Sequence, residues 1–339
     1  MKLATYRDGS RDGKLVLVTR DLQHAAFVPD IAHTLQSALD GWAELEPALR
    51  LRAGQLEAGR VAGVFPFRTD MCEAPLPRAY QRVDGAAYPS QVERLHRHRE
   101  KQTPSELLRA PIVRQLGSDI LLGAHDDILC PNMGWGIDFE AGVAAITGDV
   151  PAAATPDQAT AAVRLLVLVN DIVLRNLIPA GLTQHHGMAQ SKPVAAFSPV
   201  ALTPDELGDA WQESKARLQL NVWRGDYQLG RLRTGDDMRF SFGQLIAHLA
   251  RTRSLGAGSI VGSGVVANRN DAAGHGCIAE RRVQEILECG EALTPFLQHG
   301  EWLRIEACNE AGDTVFGGIR QRVLAGPGTA GASSASLYL

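Results

Sequence analysis

The chain has 339 residues, of which 45% are hydrophobic and 21% are charged, and these are the proportions of an ordinary globular protein. This length allows about two domains or one large α/β unit. The formal net charge is −4, and because no basic stripe offers contacts to phosphates, nucleic acid is not an expected partner.

The N-terminal region predicts a hairpin followed by a helix. Residues 3–18 form two strand-like runs around a turn at 8–13. Between residues 30 and 59 an apolar stripe recurs at helical spacing, and it consists of Leu35, Leu39, Trp42, Leu45 and Leu49. The Pro75-Leu76-Pro77 stretch then marks a boundary near residue 78. We therefore expect a small N-terminal α+β domain over residues 1–78.

Residues 137–148 have the pattern of a half-buried strand that carries acidic residues. Because side chains alternate across a strand, Asp138, Glu140 and Gly142 share one face. Two carboxylates on one face of an apolar strand are costly to bury unless a positive charge meets them. Either the acids lie at a solvated strand end, or they offer oxygen ligands to a hard divalent cation.

Two segments have the residues of a helix start. Thr155-Pro156-Asp157-Gln158 offers an N-cap threonine, a proline at the first helical position and a glutamine at the third. We predict a helix from there to about Ile178. Asp171 and Arg175 would lie on one face of it, where a surface ion pair is the ordinary interpretation. The Thr203-Pro204-Asp205-Glu206 segment repeats the pattern.

The last third of the chain predicts a hairpin, a helix and a second pair of strands. The hairpin covers residues 218–229 and turns at Arg224-Gly225-Asp226. Residues 241–253 are amphipathic with helical spacing, and residues 301–323 alternate as strand, turn and strand. The tail over residues 325–339 is rich in Gly, Ala, Ser and Thr, a composition that predicts disorder.

The cysteines and the hydropathy pattern indicate a soluble cytoplasmic protein. The five cysteines are scattered without a C-x-x-C pair, which favours reduced thiols over a disulfide framework or a zinc site. No apolar run is long enough to span a bilayer, and no N-terminal apolar segment resembles a signal peptide. A membrane is therefore not an expected partner.

A series of short segments occurs in one order along most of the chain. They are residues 75–80 (PLPRAY), 83–85 (VDG), 117–119 (GSD), 138–140 (DFE), 170–171 (ND), 190–199 (QSKPVAAFSP), 262–264 (GSG), 277–281 (CIAER) and 316–318 (FGG). In this order they resemble the fumarylacetoacetate hydrolase family, and the resemblance extends from Leu3 to about Leu324.

The resemblance implies an α+β, β-rich fold in which mixed β-sheets roll around a metal site. A catalytic-type domain over residues 79–324 would follow the small N-terminal domain, usually in a homodimer. The family hydrolyses carbon–carbon bonds in β-diketo or acylpyruvate substrates, as in aromatic compound catabolism, and relatives decarboxylate or hydrate similar keto acids. The implied ligands are a divalent cation (Mg, Mn or Ca) and a small keto or diketo acid.

The resemblance also assigns roles to individual residues. Asp84, Glu140 and Asp171 match the acidic metal ligands, and carboxylate oxygens suit such ions. Lys192 and Arg175 match the cationic residues that steer the substrate and stabilise its carbanion-like leaving group. The implied substrate-binding residues are Arg114, Gln115, Ser263 and Val265.

Several of these positions depart from the family's pattern. Gly142 stands where the Asp-x-Glu-x-Glu strand has its second glutamate, so three ligand carboxylates remain. Gln91 stands in place of the catalytic histidine, and its partner acid, matched by Glu280, is left with nothing to orient. An amide cannot deprotonate water near neutral pH. Val265 replaces a threonine in the pocket, and Arg114 replaces a tyrosine.

No other residue is expected to replace the missing base. His96 and His98 lie in a cationic run typical of a solvated helix face, and His185-His186 belong to a loop, as a lid or as solvated side chains. Cys277 lacks a histidine partner and is not an expected nucleophile. Gln91→His combined with Gly142→Glu is therefore predicted to restore the missing groups.

Two functional interpretations stay open. The first is a metal-dependent hydrolase with reduced or altered activity, in which the divalent ion is weakly bound. The second is a non-catalytic relative that keeps the fold and binds a keto acid or a partner protein, with the ion absent. The retained acids and cations favour the first, and the substitutions at Gln91, Gly142 and Val265 favour the second.

Overall fold

The structure is a computed structural model that describes residues 1–90, 93–94, 109–178 and 188–326. The strands are β1 (Lys2–Tyr6), β2 (Lys14–Val18), β3 (His24–Phe27), β4 (Phe65–Pro66), β5 (Arg82–Gly85), β6 (Val113–Leu116), β7 (Ile128–Cys130), β8 (Ile137–Thr147), β9 (Val163–Leu174), β10 (Ala195–Phe197), β11 (Val200–Leu202), β12 (Trp211–Gln212), β13 (Lys215–Ala216), β14 (Gln219–Arg224), β15 (Tyr227–Arg233), β16 (Ile260–Gly262), β17 (Trp302–Cys308) and β18 (Ile319–Ala325). The α-helices are α1 (Leu35–Asp40), α2 (Trp42–Glu57), α3 (Pro156–Ala161), α4 (Phe242–Leu249) and α5 (Ile278–Cys289). The predicted α+β, strand-rich class is confirmed.

The larger sheet has the order β4-β3-β2-β1-β11-β9-β8-β16-β5-β6, with β10 also paired to β9. It is mixed, because β16 runs parallel to β5 and antiparallel to β8. At its centre β8 and β9 pair antiparallel along their whole length. The N-terminal strands join this sheet where β1 pairs with β11. A domain boundary at residue 78 stays a prediction.

A smaller sheet, in the order β15-β14-β17-β18-β7, covers one face of the larger one. Phe139 and Val143 of β8 share a hydrophobic core with Leu220 of β14 and Ile305 of β17. The opposite face of β8, through Ala144 and Ile146, packs in a second core with residues of α1 and α2. Strand β8 is therefore buried on both faces, so its acidic side chains lie inside the protein.

Most of the predicted N-terminal and C-terminal elements are confirmed. The first hairpin is β1 with β2, and the second is β14 with β15. The predicted helix over residues 30–59 is divided at Gly41 into α1 and α2. The amphipathic helix begins at Ser241 as its N-cap and ends at Leu249, shorter than predicted. Strand β18 extends to Ala325, and residues 327–339 of the predicted disordered tail lie outside the described residues.

The predicted long helix from Thr155 is wrong beyond its first turns. Thr155 does form the capping box with Gln158, but α3 ends at Ala161 and β9 begins at Val163. The run from Leu165 to Val169 is apolar and includes two β-branched valines, and the full-length pairing of β9 with β8 outweighs the local helix signal. At Thr203 the repeated pattern starts a 3-10 helix, Pro204–Ala210, without a side-chain cap.

The five cysteines, all among the described residues, are unbonded. Across the described ranges, no helix is both long and apolar enough to cross a membrane.

Candidate functional site

Three buried carboxylates converge at the centre of the larger sheet. Asp84 lies on β5, Glu140 on β8 and Asp171 on β9. The register places Glu140 directly opposite Asp171, and Gly262 of β16 connects the two sides because it pairs with both Asp84 and Ala144. One oxygen from each carboxylate lies within 4.8 Å of the others. This group of oxygens could bind a divalent metal.

The ammonium group of Lys192 lies among these three carboxylates. Its Nζ donates to Asp84 Oδ2 at 2.8 Å, to Glu140 Oε2 at 2.6 Å and to Asp171 Oδ2 at 3.2 Å. Burial disfavours the charged ammonium, but the three carboxylates outweigh it and raise the pKa of Lys192. An ammonium has three N–H donors, so this one is fully satisfied by the acids that it contacts.

The carboxylates respond differently to the same surroundings. Burial alone would raise the pKa of Glu140, but Lys192 and Arg175 lower that pKa to about 2. Burial raises the pKa of Asp84, and repulsion from the neighbouring Asp171 and Glu140 raises it further. Together these effects outweigh the attraction of Lys192, so the pKa of Asp84 is raised. The Arg175 guanidinium and the Lys192 ammonium thus favour the ionised form of Glu140.

Arg82 is a member of this cluster that the sequence analysis missed. It lies on β5 two residues before Asp84, hence on the same face, and its side chain is 3% exposed. Its Nη1 donates to Asp171 Oδ1, and its Nε donates to the carbonyl of Gly117 at 2.9 Å. Nη2 is buried without a partner. The i, i+2 spacing of Arg82 and Asp84 on a buried strand was the available signal.

Asp138 and Arg175 form the next layer of the site. Arg175 Nε donates to Asp138 Oδ2 at 2.8 Å, and Nη1 lies 2.9 Å from Glu140 Oε1. Asp138, which is fully buried, also accepts from the backbone N–H groups of Ile278 and Ala279 at the start of α5, both at 2.9 Å. The acids of β8 are thus not solvated, and Arg175 contacts them from a short 3-10 helix, Arg175–Leu177, that directly follows β9.

Glu280 has a partner that the sequence did not indicate. It is buried on α5 and forms an ion pair with Arg94, which is also buried and donates to the carbonyl of Asn268 at 2.7 Å. The expectation that Glu280 has nothing to orient is wrong. His275 was also missed: its Nδ1 lies 3.8 Å from Glu280 Oε2 and has no hydrogen-bond partner. His275 lies five residues before Glu280 in the sequence, a spacing that did not indicate a contact between the two side chains.

Gln91 lies outside the described residues, and so do the four histidines considered as replacements for the base, namely His96, His98, His185 and His186. Their predicted roles stay predictions. Cys277 is described and fully buried, and burial together with the charge of Asp138 raises the pKa of its thiol well above the usual value.

The predicted substrate-binding residues occupy different environments. Arg114 of β6 pairs with Asp84, is half-buried, and its positive charge contributes to lowering the pKa of Glu140. Gln115 pairs with Val83 on the opposite face and is exposed. Ser263 is fully buried and donates to the carbonyl of Gly264 at 2.9 Å, and Val265 is buried as well. The structure brings Arg114, and not Gln115, towards the carboxylates.

The space beside Gly142 is filled by backbone. A Cβ at Gly142 would lie 2.6 Å from the carbonyl oxygen of Gly264. Gly264 has φ +77°, and its own Cβ would lie 2.0 Å from the carbonyl of Gly85, so this segment has no room to retreat. A glutamate at position 142 would therefore clash with this backbone, and Gly142→Glu requires the segment over residues 262–264 to move.

Both parts of the chain match models of protein families. Residues 1–78 match the model described as Fumarylacetoacetase N-terminal domain 2. Residues 82–324 match the model described as Fumarylacetoacetate (FAA) hydrolase C-terminal. A comparison with curated protein sequences finds no match.

Several solved structures share the fold over nearly the whole chain. A candidate HpcE protein from Mycobacterium smegmatis has a TM-score of 0.70 at 18% identity, over 96% of this chain and 99% of that chain. The fumarylacetoacetate hydrolase from Exiguobacterium antarcticum has a TM-score of 0.64 at 15% identity, over 96% and 100%. The maleylpyruvate hydrolase from Sphingobium sp. SYK-6, in complex with manganese(II) and pyruvate, has a TM-score of 0.62 at 17% identity, over 96% and 100%.

Proposed function

Because the chain belongs to the fumarylacetoacetate hydrolase family, we propose that it is a metal-dependent hydrolase that cleaves a carbon–carbon bond in a small diketo acid or acylpyruvate, with reduced or altered activity. One observation carries the proposal: the buried carboxylates of Asp84, Glu140 and Asp171 converge beside Lys192 and Arg175. Such a site offers oxygen ligands and positive charge in one place.

The donor set fits a hard divalent ion in ligand type and spacing. Mg, Mn or Ca, when bound, would polarise the keto oxygen of the substrate. The manganese and pyruvate in the Sphingobium maleylpyruvate hydrolase complex support this ion class and ligand class. In the described part of the chain three carboxylates form this group and Lys192 contacts all of them, so we propose that the ion binds weakly.

The cations of the chain supply the rest of the proposed chemistry. Arg175 is held by Asp138, which fixes its guanidinium near Glu140, where it can bind a carboxylate or enolate oxygen. Arg114, half-buried at the edge of the same face, can bind a second carboxylate of a diacid. Lys192 stabilises the negative charge that develops on the carbanion-like leaving group.

Proton transfer is the weak part of this site. We propose that Gln91, in the position of the family's histidine, leaves the attacking water without a general base, and general-base catalysis is worth about 10²–10⁴-fold. Glu280 is engaged by Arg94, so it is poorly placed to serve as the base instead. His275, beside Glu280 and with a free Nδ1, is the histidine in the described part of the chain that could substitute.

A second candidate function is favoured by the occupied site. Lys192 satisfies the three carboxylates, and the Gly264 backbone fills the space that a side chain at position 142 would need. These contacts suit a non-catalytic family member that binds a keto acid or a partner protein. In either case we propose a homodimer in the cytoplasm, in line with the family resemblance and the unbonded cysteines.

The test is turnover of acylpyruvates, followed by loss of their enol absorbance with Mn or Mg present. We expect slow, metal-stimulated hydrolysis by the full chain that is lost in Asp84→Asn. The control Asp226→Asn, at an exposed turn, should behave like wild type. Binding of acylpyruvates without turnover would favour the second candidate, and neither binding nor turnover would contradict both. Light scattering after gel filtration tests the dimer.

A further inference from the structure

Nearly every oxygen of the three-carboxylate cluster is already occupied by a cation of the chain. Asp171 offers Oδ1 to Arg82 and Oδ2 to Lys192. Glu140 offers Oε1 to Arg175 and Oε2 to Lys192. Asp84 offers Oδ2 to Lys192. An ion that took these oxygens as ligands would have to displace at least one of these contacts.

We propose that Lys192 and Arg82 are built-in counter-ions of this cluster, and that a divalent ion can enter it only by displacing the Lys192 ammonium. The inference rests on the metal site of the proposed function. It goes further, because it makes occupation by the ion and by Lys192 mutually exclusive.

The formal charges of the buried groups support this exclusion. Asp84, Asp138, Glu140 and Asp171 are four acids, and Lys192, Arg82 and Arg175 are three cations, all buried or nearly so; the formal sum is therefore −1. Adding a divalent ion would leave +1 in the interior, whereas exchanging it for Lys192 would leave zero. An uncompensated buried charge is costly, so the exchange is the favoured route.

The glycine at position 142 explains why the divalent ion and the Lys192 ammonium compete for the same carboxylates. A carboxylate there would bring the sum to −2, and a divalent ion could then bind with Lys192 in place. The close approach of Gly264 to Gly142 leaves no space for that carboxylate. Arg82 adds to the effect, because it holds one oxygen of Asp171 from the same strand that carries Asp84.

The test is the affinity of the full chain for Mn, measured by electron paramagnetic resonance of the free ion. We expect weak binding by wild type and at least tenfold tighter binding by Lys192→Met, since its removal frees one oxygen of each of the three acids. Arg82→Met should also bind more tightly than wild type. Lys14→Met removes an exposed lysine and should match wild type.

Equal or weaker Mn binding by Lys192→Met than by wild type would overturn the proposal, and so would tight binding by wild type. If Lys192→Met is poorly folded, its thermal unfolding temperature should rise more with Mn than that of wild type at the same Mn concentration. If Lys192→Met does not fold even with Mn, Lys192→Gln and Arg82→Met are tested instead. Both should bind Mn more tightly than wild type, and equal or weaker binding would overturn the proposal. Tighter Mn binding by Lys192→Met in a protein that hydrolyses no acylpyruvate would leave this inference standing and remove the proposed function.

Discussion

A methyl group at position 142 tests the closed geometry of the site. In Gly142→Ala the new Cβ would lie 2.6 Å from the Gly264 carbonyl oxygen, about 1 Å closer than a favourable contact. Overpacking of this kind costs about 1–3 kcal/mol, and the lower entropy of the unfolded chain offsets about 0.4–1 kcal/mol of it. We expect Gly142→Ala to lower the free energy of unfolding by about 1–2 kcal/mol.

The matched control is Gly54→Ala in α2, where an added Cβ would have nothing within 4 Å. In a helix interior this change should raise the free energy of unfolding by about 0.5–1 kcal/mol. Urea unfolding followed by circular dichroism measures both variants, and the two shifts should have opposite signs. A Gly142→Ala protein as stable as wild type would show that the Gly264 segment can move, and would make Gly142→Glu a usable restoration again.

Three further predictions concern single side chains. Asp138→Asn should lower the free energy of unfolding by about 3 kcal/mol, because it leaves Arg175 without its buried counter-charge. Urea unfolding measures this loss, with Asp157→Asn at an exposed position as the control. A loss below about 1 kcal/mol would refute the prediction. Although burial disfavours the charged form, hydrogen bonds from Thr294 and Leu293 and the Arg281 guanidinium lower the pKa of Glu285 to about 2. Since this folded-state pKa lies below the usual value, the stability that the carboxylate provides near neutral pH should be lost as the pH falls from about 4.5 to about 2. The difference in free energy of unfolding between wild type and Glu285→Gln should therefore vanish over that range. On the proposal that Gln91 occupies the position of the family's histidine, acylpyruvate hydrolysis should be slower by about 10²–10⁴-fold than in a family enzyme that has the histidine. Comparable turnover in a side-by-side assay would show that another base operates.

Local features of the fold could be predicted from the sequence because the signals are local. The hairpins at β1–β2 and β14–β15 follow from alternating runs around short turns, and the capping boxes at Thr155 and Ser241 follow from the residue types at fixed spacing. The failure at β9 has the opposite cause. Its strand conformation depends on eleven paired positions with β8, which no short window of sequence contains.

The candidate site divides in the same way. Asp84, Glu140, Asp171 and Lys192 could be named because each lies in a short segment that resembles the family. Arg175 lies four residues after one of these segments, and the structure brings all five side chains together.

The partners that change the chemistry of the site arise from long-range register. Arg82 lies on β5 and contacts Asp171 on β9, and β16 and β8 lie between these two strands in the sheet order. Arg94 contacts Glu280 over a separation of 186 residues. The blockage at Gly142 likewise depends on where the Gly264 backbone passes, which residue types alone do not reveal.

Calorimetric titration of the full chain with Mn tests the central claim most directly, namely that Asp84, Glu140 and Asp171 form a weakened divalent-metal site. Affinity for a hard cation depends on the number and charge of its carboxylate ligands. Three carboxylates converge here, and the Lys192 ammonium contacts all of them. The account predicts weak Mn binding that disappears in Asp171→Ala and persists in the exposed control Asp157→Ala. Tight binding that survives Asp171→Ala would contradict the proposed ligand set.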